Sequence, residues 1–368
     1  MALIIMTARP DRGARHYRRY LEAMNDGDPR LEQIRRWLAS ELHGTLLRIE
    51  PASADASFRR YFRVWRADGA TRIVMDAPPG REDLAPYLRV GALLERCDVH
   101  VPRIDAVDTA QGFVLLEDLG SVHYLARLGQ PGCADALYAD ALEALLRIQT
   151  RGGGMARALA RYDAKLLARE MALMPEWFCV RHLQFEPGAE GRALLASVFE
   201  FLCAEALAQP TVFVHRDYHS RNLMVTRARN PGIVDFQDAL DGPVGYDLVS
   251  LLKDCYIDWP RAQVEHWVDS FRARLVAEGG EGGADRTQFL RWFDLAGLQR
   301  HLKVLGIFAR LWYRDGKSGY LADLPRTLGY VCAVARDFPE LREFSQWLEA
   351  HVVPRLARAN TRVLAARA

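Results

Sequence analysis

The stretch FVHRDYHSRN, residues 213–222, ends an apolar run in a burst of polar groups: two histidines, two arginines, an aspartate and an asparagine. A strand that stops in a polar, sharply turning segment marks a place where something is bound or broken. Asp217 and Asn222 stand five positions apart, so a tight loop can aim both side chains into one cavity. Eighteen residues after Asp217, a second apolar run, GIVDFQDA, brings Asp235 to the end of another strand. Taken singly, either aspartate reads as a loop residue capping a turn. The joint pattern of strand, HxDxxxxN, strand and Asp reads differently. One carboxylate beside a substrate hydroxyl, with an amide and a second carboxylate near a metal ion, is the set that phosphoryl transfer requires.

Upstream of that segment the chain is β-rich. PRLEQIRRWLASEL carries Leu31, Ile34, Leu38 and Leu42 at helical spacing, with Pro29 near its start and Gly44 just past its end. Three strand-like runs follow, TLLRIEP (45–51), RYFRVW (60–65) and TRIVMDA (71–77). REDLAPYLRVGALLERC reads as a helix, and PRIDAVD and GFVLLEDL as two further strands. From Gly120 onward the pattern turns mostly helical, with RGGGMAR (151–157) expected as a flexible loop between helices. The expectation is an α+β, bilobal chain: an N-terminal extension over 1–29, a small five-stranded lobe over 30–118 and a large, mainly helical lobe over 119–368. Residues 1–23 show no pattern, and Met24 offers a second start.

At 368 residues the chain can bury a sizeable core in two lobes. A net charge of +2 leaves no footprint for nucleic acid or an anionic membrane surface. The 6 cysteines never form a C-x-x-C pair, which argues for a reducing compartment and against structural zinc or disulfides. No apolar run approaches the ~18 residues of a membrane span, and MALIIM is too short for a signal peptide. A cytoplasmic monomer acting on a small molecule is expected.

VHRDYHSRNLM with the Asp-bearing strand after it resembles the catalytic loop of the aminoglycoside phosphotransferase and choline kinase superfamily, relatives of the protein kinases. DASFRRYFRV, VMDAPP, DFQDA and YDLVSLLKDCY resemble, more narrowly, the bacterial anomeric sugar kinases of cell-wall recycling. The resemblance implies a protein-kinase-like fold with an antiparallel N-terminal sheet, ATP and Mg²⁺ as cofactors, and N-acetylmuramate or N-acetylglucosamine as the sugar phosphorylated at C1. It implies Asp217 as catalytic base, Asn222 and Asp235 as Mg²⁺ ligands, and His215 and Asp247 as supports of the loop. Other outcomes left open are an aminoglycoside or small-alcohol phosphotransferase and a nucleotide-binding pseudokinase.

The nucleotide side departs from the kinase pattern. The loop PASADASFRR (51–60) occupies the place of a glycine-rich phosphate loop but has no glycine; Ser53 and Ser57 are its candidate phosphate contacts. Where kinases carry a phosphate-pairing Lys, RIVMDA offers Met75 or Asp76, and Arg89 stands nearest the place of its partner Glu. Arg60 is the first candidate for the missing cation, with Arg59 and Arg63 behind it. LLEDLGS matches a hinge whose backbone, around Glu117 to Leu119, would pair with adenine.

On the substrate side, residues 291–368 hold thirteen Lys and Arg against seven Asp and Glu, which disfavours a polycationic substrate. Arg300 and Lys303 share a helix face and could offer paired cations to a carboxylate. His219 and Arg221 are further candidates near phosphate or sugar.

Overall fold

The computed structural model describes residues 28–42, 45–54, 58–280, 282 and 285–365. Of the expected extension over 1–29, residues 1–27 with the start at Met24 lie outside the described residues, as do Gly44 and Ser57, while Asp28 and Pro29 already open the first helix. Two compact units emerge, and the division cuts through the opening motif. One unit takes the described residues up to Ala144 together with Ser220–Asp238; the other takes Leu145–His219 and Ala239 onward. Residues 119–144 and 220–238 thus pack with the sheet rather than with the helical part.

The first unit opens on α1 (Pro29–Glu41), with Pro29 in the first turn and the Asp28 carboxylate accepting the Arg30 N–H at 2.9 Å as N-cap. Five antiparallel strands follow, in the order β1 (Leu46–Ala54), β2 (Arg60–Arg66), β3 (Thr71–Asp76), β5 (Phe113–Glu117), β4 (Ile104–Asp108). Leu31, Ile34 and Leu38 of α1 form one apolar cluster with Phe62, Val64, Val74, Phe113 and Leu115 of the strands. Helix α2 (Ala85–Arg96) lies between β3 and β4 in the chain, and α3 (Tyr124–Leu128) follows β5. The hairpin of β7 (Leu223–Met224) and β8 (Gly232–Ile233) belongs to this unit, and Ile233 N–H bonds the His100 carbonyl at 2.7 Å. Gly232 also leaves room for Leu119, whose Cδ1 would lie 2.8 Å from a Cβ at that position.

The second unit is mainly helical. It holds the end of α4 (Ala134–Ala156), α5 (Ala164–Met171), a π-helical segment (Met174–His182), α6 (Gly188–Leu207), α7 (Gly245–Leu252), α8 (Arg261–Ala277), α9 (Arg286–Tyr313) and α10 (Leu324–Asp337), with shorter helices after it. Strand β6 (Thr211–Val214) pairs antiparallel with β9 (Leu240–Pro243). Helix α9 is buried without interruption from Phe293 to Gly306, as a central helix must be. It crosses the backbone before the π-helical segment so closely that a Cβ on Gly306 would lie 2.3 Å from the Leu173 carbonyl carbon.

Two local expectations are corrected. RGGGMAR is no loop: α4 runs through it to Ala156. Gly152 and Ala156 fall four apart on a buried face, and that packing outweighs a cost of about 1 kcal/mol per helical glycine. Strand β1 does not stop at Pro51 but continues to Ala54, with Ser53 opposite Tyr61 across a register shift. A bulge lets the ladder pass the proline, so the connecting loop is shorter than the sequence suggests.

Candidate active site

In the second unit, β6 delivers the chain into the HxD segment. Its partner β9 leads into α7, and Asp247 in the first turn of α7 turns a buried carboxylate back on the loop. That carboxylate accepts the backbone N–H of His215 at 2.5 Å and of Arg216 at 2.9 Å. Burial pushes the Asp247 carboxyl up to about 7, against the two N–H donors and Arg300, with repulsion from Asp217 adding to the rise. His215 is fully buried, and its Nδ1 accepts the Asp217 N–H at 3.3 Å while its ring meets Tyr218 edge-on. The histidine organises the turn from inside.

The Asp217 side chain is 16% exposed, with Arg300 Nη1 3.9 Å from its Oδ1. Burial opposes its charge, while Lys303, Arg300 and His219 favour the carboxylate. An ionised carboxylate at a polar turn can accept a hydroxyl proton. Arg300 and Lys303 are buried and face the loop. Arg300 donates to the Arg216 carbonyl at 3.3 Å, and the Lys303 ammonium sits 3.0 Å from Glu170 and 3.2 Å from the Tyr246 hydroxyl. Their place as a paired anchor for a substrate carboxylate is thereby taken by internal partners. His219 is buried against Tyr256, its ring edge-on at 5.6 Å.

In the first unit, Asn222 and Asp235 meet at the β7–β8 hairpin. Asn222 Nδ2 lies 3.4 Å from Asp235 Oδ2, Val234 N–H bonds the Asn222 carbonyl at 3.0 Å, and Gln237 Nε2 donates to Asp235 Oδ1 at 2.8 Å. Asp235 sits at φ 62°, a left-handed position that aspartate tolerates better than most residues. Phe236 after it stacks on Tyr87 of α2 at 4.8 Å, which fixes the turn. The amide faces Asp235 through its nitrogen; with the amide oxygen turned to the same side, a carboxylate and an amide oxygen would suit a hard cation. Among the described residues no group of three or more His, Cys, Asp and Glu gathers, and Mg²⁺ needs none, since it takes one or two carboxylates and completes its sphere with water and phosphate oxygens.

A cavity in the same unit is lined by Ile73, Leu116, Leu119, Met224 and Val234, with Asp235 on its wall. Glu117 and Leu119 border it, as a hinge segment would. Arg63 pins that segment. Its Nε and Nη2 bond the Asp118 carboxylate at 2.7 and 3.0 Å, and Nη2 also reaches the Gly120 carbonyl at 2.9 Å. Arg221 lies in this unit, at the start of the chain segment that leads into β7.

The arginines at the start of β2 divide their work. Asp76, fully buried at the expected place of the kinase lysine, accepts from both Arg30 and Arg60, and Arg60 also holds Asp28. The four charges clamp the N-terminus of α1 to the sheet, so Arg60 is bound into the scaffold. Arg59, one residue earlier, is 10% exposed, with Nε 3.6 Å from Glu82 Oε2; the other oxygen of Glu82 accepts the Phe58 N–H at 3.0 Å. The Tyr87 hydroxyl feels the fields of both Arg59 and Asp235. Glu82 precedes α2 rather than lying on it, which is why sequence reasoning missed it in favour of Arg89. Glu170 was missed too, although it falls on the apolar stripe of Leu167 and Met171 that Met174 continues into the π-helical segment. Ser53 lies in β1.

The sequence profile of the phosphotransferase enzyme family matches residues 48–290. A protein of Pseudomonas putida named N-acetylmuramate/N-acetylglucosamine kinase is 44% identical over 334 residues, covering 88% of this chain and 97% of that one. The protein of the same name from Pseudomonas aeruginosa is 45% identical over 332 residues, covering 87% and 96%. Among solved structures, an ethanolamine kinase of Plasmodium vivax superposes with a TM-score of 0.59 at 12% identity, over 92% of this chain and 98% of that one. The choline kinase LicA of Streptococcus pneumoniae gives 0.58 at 12%, over 82% and 98%. At such identities these two likenesses are of fold alone, and the fold is the protein-kinase-like one. With the matched span running from β1 into α9 through both halves of the HxDxxxxN segment, the chain belongs to the phosphotransferase enzyme family.

Proposed function

We propose that this chain is an ATP- and Mg²⁺-dependent kinase of amino sugars that phosphorylates the anomeric hydroxyl of N-acetylmuramate and N-acetylglucosamine. The observation that carries the reading is identity of 44 and 45%, nearly end to end, to two relatives named for those sugars. Asp217 takes the role of base, accepting the proton of the sugar hydroxyl as its oxygen bonds to the γ-phosphorus and the bond from that phosphorus to the bridging oxygen breaks, releasing ADP. The C1 hydroxyl is more acidic than an ordinary sugar alcohol, because the ring oxygen stabilises its alkoxide. In a loose transition state little nucleophilic push is needed, so one carboxylate suffices. Asn222 and Asp235 would hold Mg²⁺, which supplies neutralising charge to the nucleotide phosphates. Adenine would enter the cavity beside Glu117 and Leu119. With Arg60 bound to Asp76 and Asp28, the phosphate-facing cation is assigned to Arg59, steadied by Glu82.

The test is ADP release with a panel of sugars, aminoglycosides and choline, with and without Mg²⁺. Free N-acetylglucosamine and N-acetylmuramate should turn over, and the methyl glycoside of N-acetylglucosamine, blocked only at C1, should be inert. Comparable turnover of the glycoside, or a 6-phosphate product by NMR, would remove the anomeric reading. Turnover of aminoglycosides or choline alone would move the chain to another branch of the family.

A further inference from the structure

Arg216, the residue before Asp217, has φ 79°. For a long side chain that is a genuine outlier, costing on the order of 1–3 kcal/mol, and it persists only where the surroundings over-determine it. All three handles of Arg216 are held. Its N–H goes to Asp247 at 2.9 Å, its carbonyl accepts from Arg300 at 3.3 Å, and its guanidinium bonds Glu170. The first two holds act on backbone. The third reaches the loop through the side chain and comes from α5, some forty-six residues earlier.

Glu170 is built for that purpose. Only 6% exposed, it receives the Arg216 guanidinium, the Lys303 ammonium at 3.0 Å and the Tyr162 hydroxyl. Despite burial its carboxyl is drawn down to about 2 by Lys303 and Arg216, so it stays charged through the working pH range. Tyr162 packs edge-on against Tyr246, whose hydroxyl also receives Lys303, so the cluster closes on itself.

We infer that Glu170 is a positioning residue for phosphoryl transfer, holding Arg216 in its left-handed conformation and so aiming the Asp217 carboxylate. The assignment rests on Asp217 being the base. Without the Glu170 charge, Arg216 has no reason to keep its side chain buried in that direction. The strain at its backbone can then relax and carry Asp217 away from the hydroxyl.

The test is a double-mutant cycle on the full chain with Glu170→Gln, Arg216→Met and the pair. Glu170→Gln should lower kcat by about 10- to 100-fold, up to the cost of misplacing a reacting group by about 1 Å. KM for ATP should stay within about twofold of the wild-type value, as for an interaction made only in the transition state. Since one residue acts through the other, the pair should be no slower than the slower single variant. A merely structural Glu170 would give additive losses, or a loss of kcat at unchanged KM that disappears once rates are scaled to the folded fraction measured by denaturant unfolding, and either overturns the assignment. Should Glu170→Gln alone not fold, the pair removes charge from both sides of the bridge, and its kcat against Arg216→Met still decides. Failure of the base reading is separate: it appears as an active Asp217→Asn enzyme, whatever Glu170→Gln does.

Discussion

Two aspartates at strand ends, Asp76 closing β3 and Asp217 just after β6, both stand among arginines, yet their surroundings differ in kind. Asp76 is fully buried, and two guanidiniums lie on its two oxygens. Asp217 is 16% exposed, and Arg300 stays 3.9 Å away. A carboxylate saturated by tight ion pairs has no lone pair left for a substrate and serves the scaffold. One in a looser cationic field stays ionised and can still take a proton. If Asp217 is the base, what separates it from the structural Asp76 is its exposure and the placing of its cations, not residue type.

Exchanging the two carboxylates in turn should give opposite phenotypes. Asp217→Asn should lower kcat by at least ~10²-fold with unfolding stability and nucleotide binding nearly unchanged. Asp76→Ala leaves two partly buried guanidiniums without their shared anion, and should cost about 3–5 kcal/mol in denaturant unfolding. An Asp217→Asn enzyme keeping more than a tenth of its activity, or an Asp76→Ala protein of wild-type stability, would erase the distinction.

The neighbouring arginines sharpen the same comparison by one residue. Arg59→Ala should weaken ADP binding about tenfold, the loss of one charge-assisted phosphate contact, while leaving AMP binding little changed. Arg60→Ala should spare both affinities and lower the melting temperature instead. Calorimetric titration of the two variants with ADP and AMP separates the cases, and the reverse pattern would return the phosphate role to Arg60. Asp235→Asn offers a control in the same unit: it should abolish the Mg²⁺ dependence of ADP affinity while leaving metal-free binding in place.

What was legible in the sequence follows the same line. HxDxxxxN and the Asp-bearing strand could be read because phosphoryl transfer demands fixed residue types at short, fixed spacings. The five strands and α1 could be read because one-sided burial writes a period of two or of 3.6 into the chain. Partnerships across long separations left no such mark. Arg60 with Asp28 and Asp76, Arg59 with Glu82, and Arg216 with Glu170 join residues whose spacing carries no pattern. The glycine run in α4 misled because local propensity, about 1 kcal/mol per glycine, is small beside the packing of a long helix.

The smallest expected effect lies in the acid limb of the pH profile. Asp247 holds the loop by accepting two backbone N–H groups, and its carboxyl is pushed up to about 7 by burial. Protonation turns one accepting oxygen into a donor, so one of the two N–H groups loses its partner as pH falls through that value. Asp217, whose carboxylate is favoured by Lys303, Arg300 and His219, stays ionised over the same range. The limb of kcat should then bend near pH 7 and report Asp247 rather than the base, with a fall of a few-fold by pH 6. Asp247→Asn, whose amide accepts through one oxygen at every pH, should be slower than wild type at pH 8 and nearly flat between pH 6 and 8. A variant that keeps the wild-type bend would transfer that limb from the support to Asp217 itself, and the contrast between a looped, reactive carboxylate and its buried prop would need another measurement to stand on.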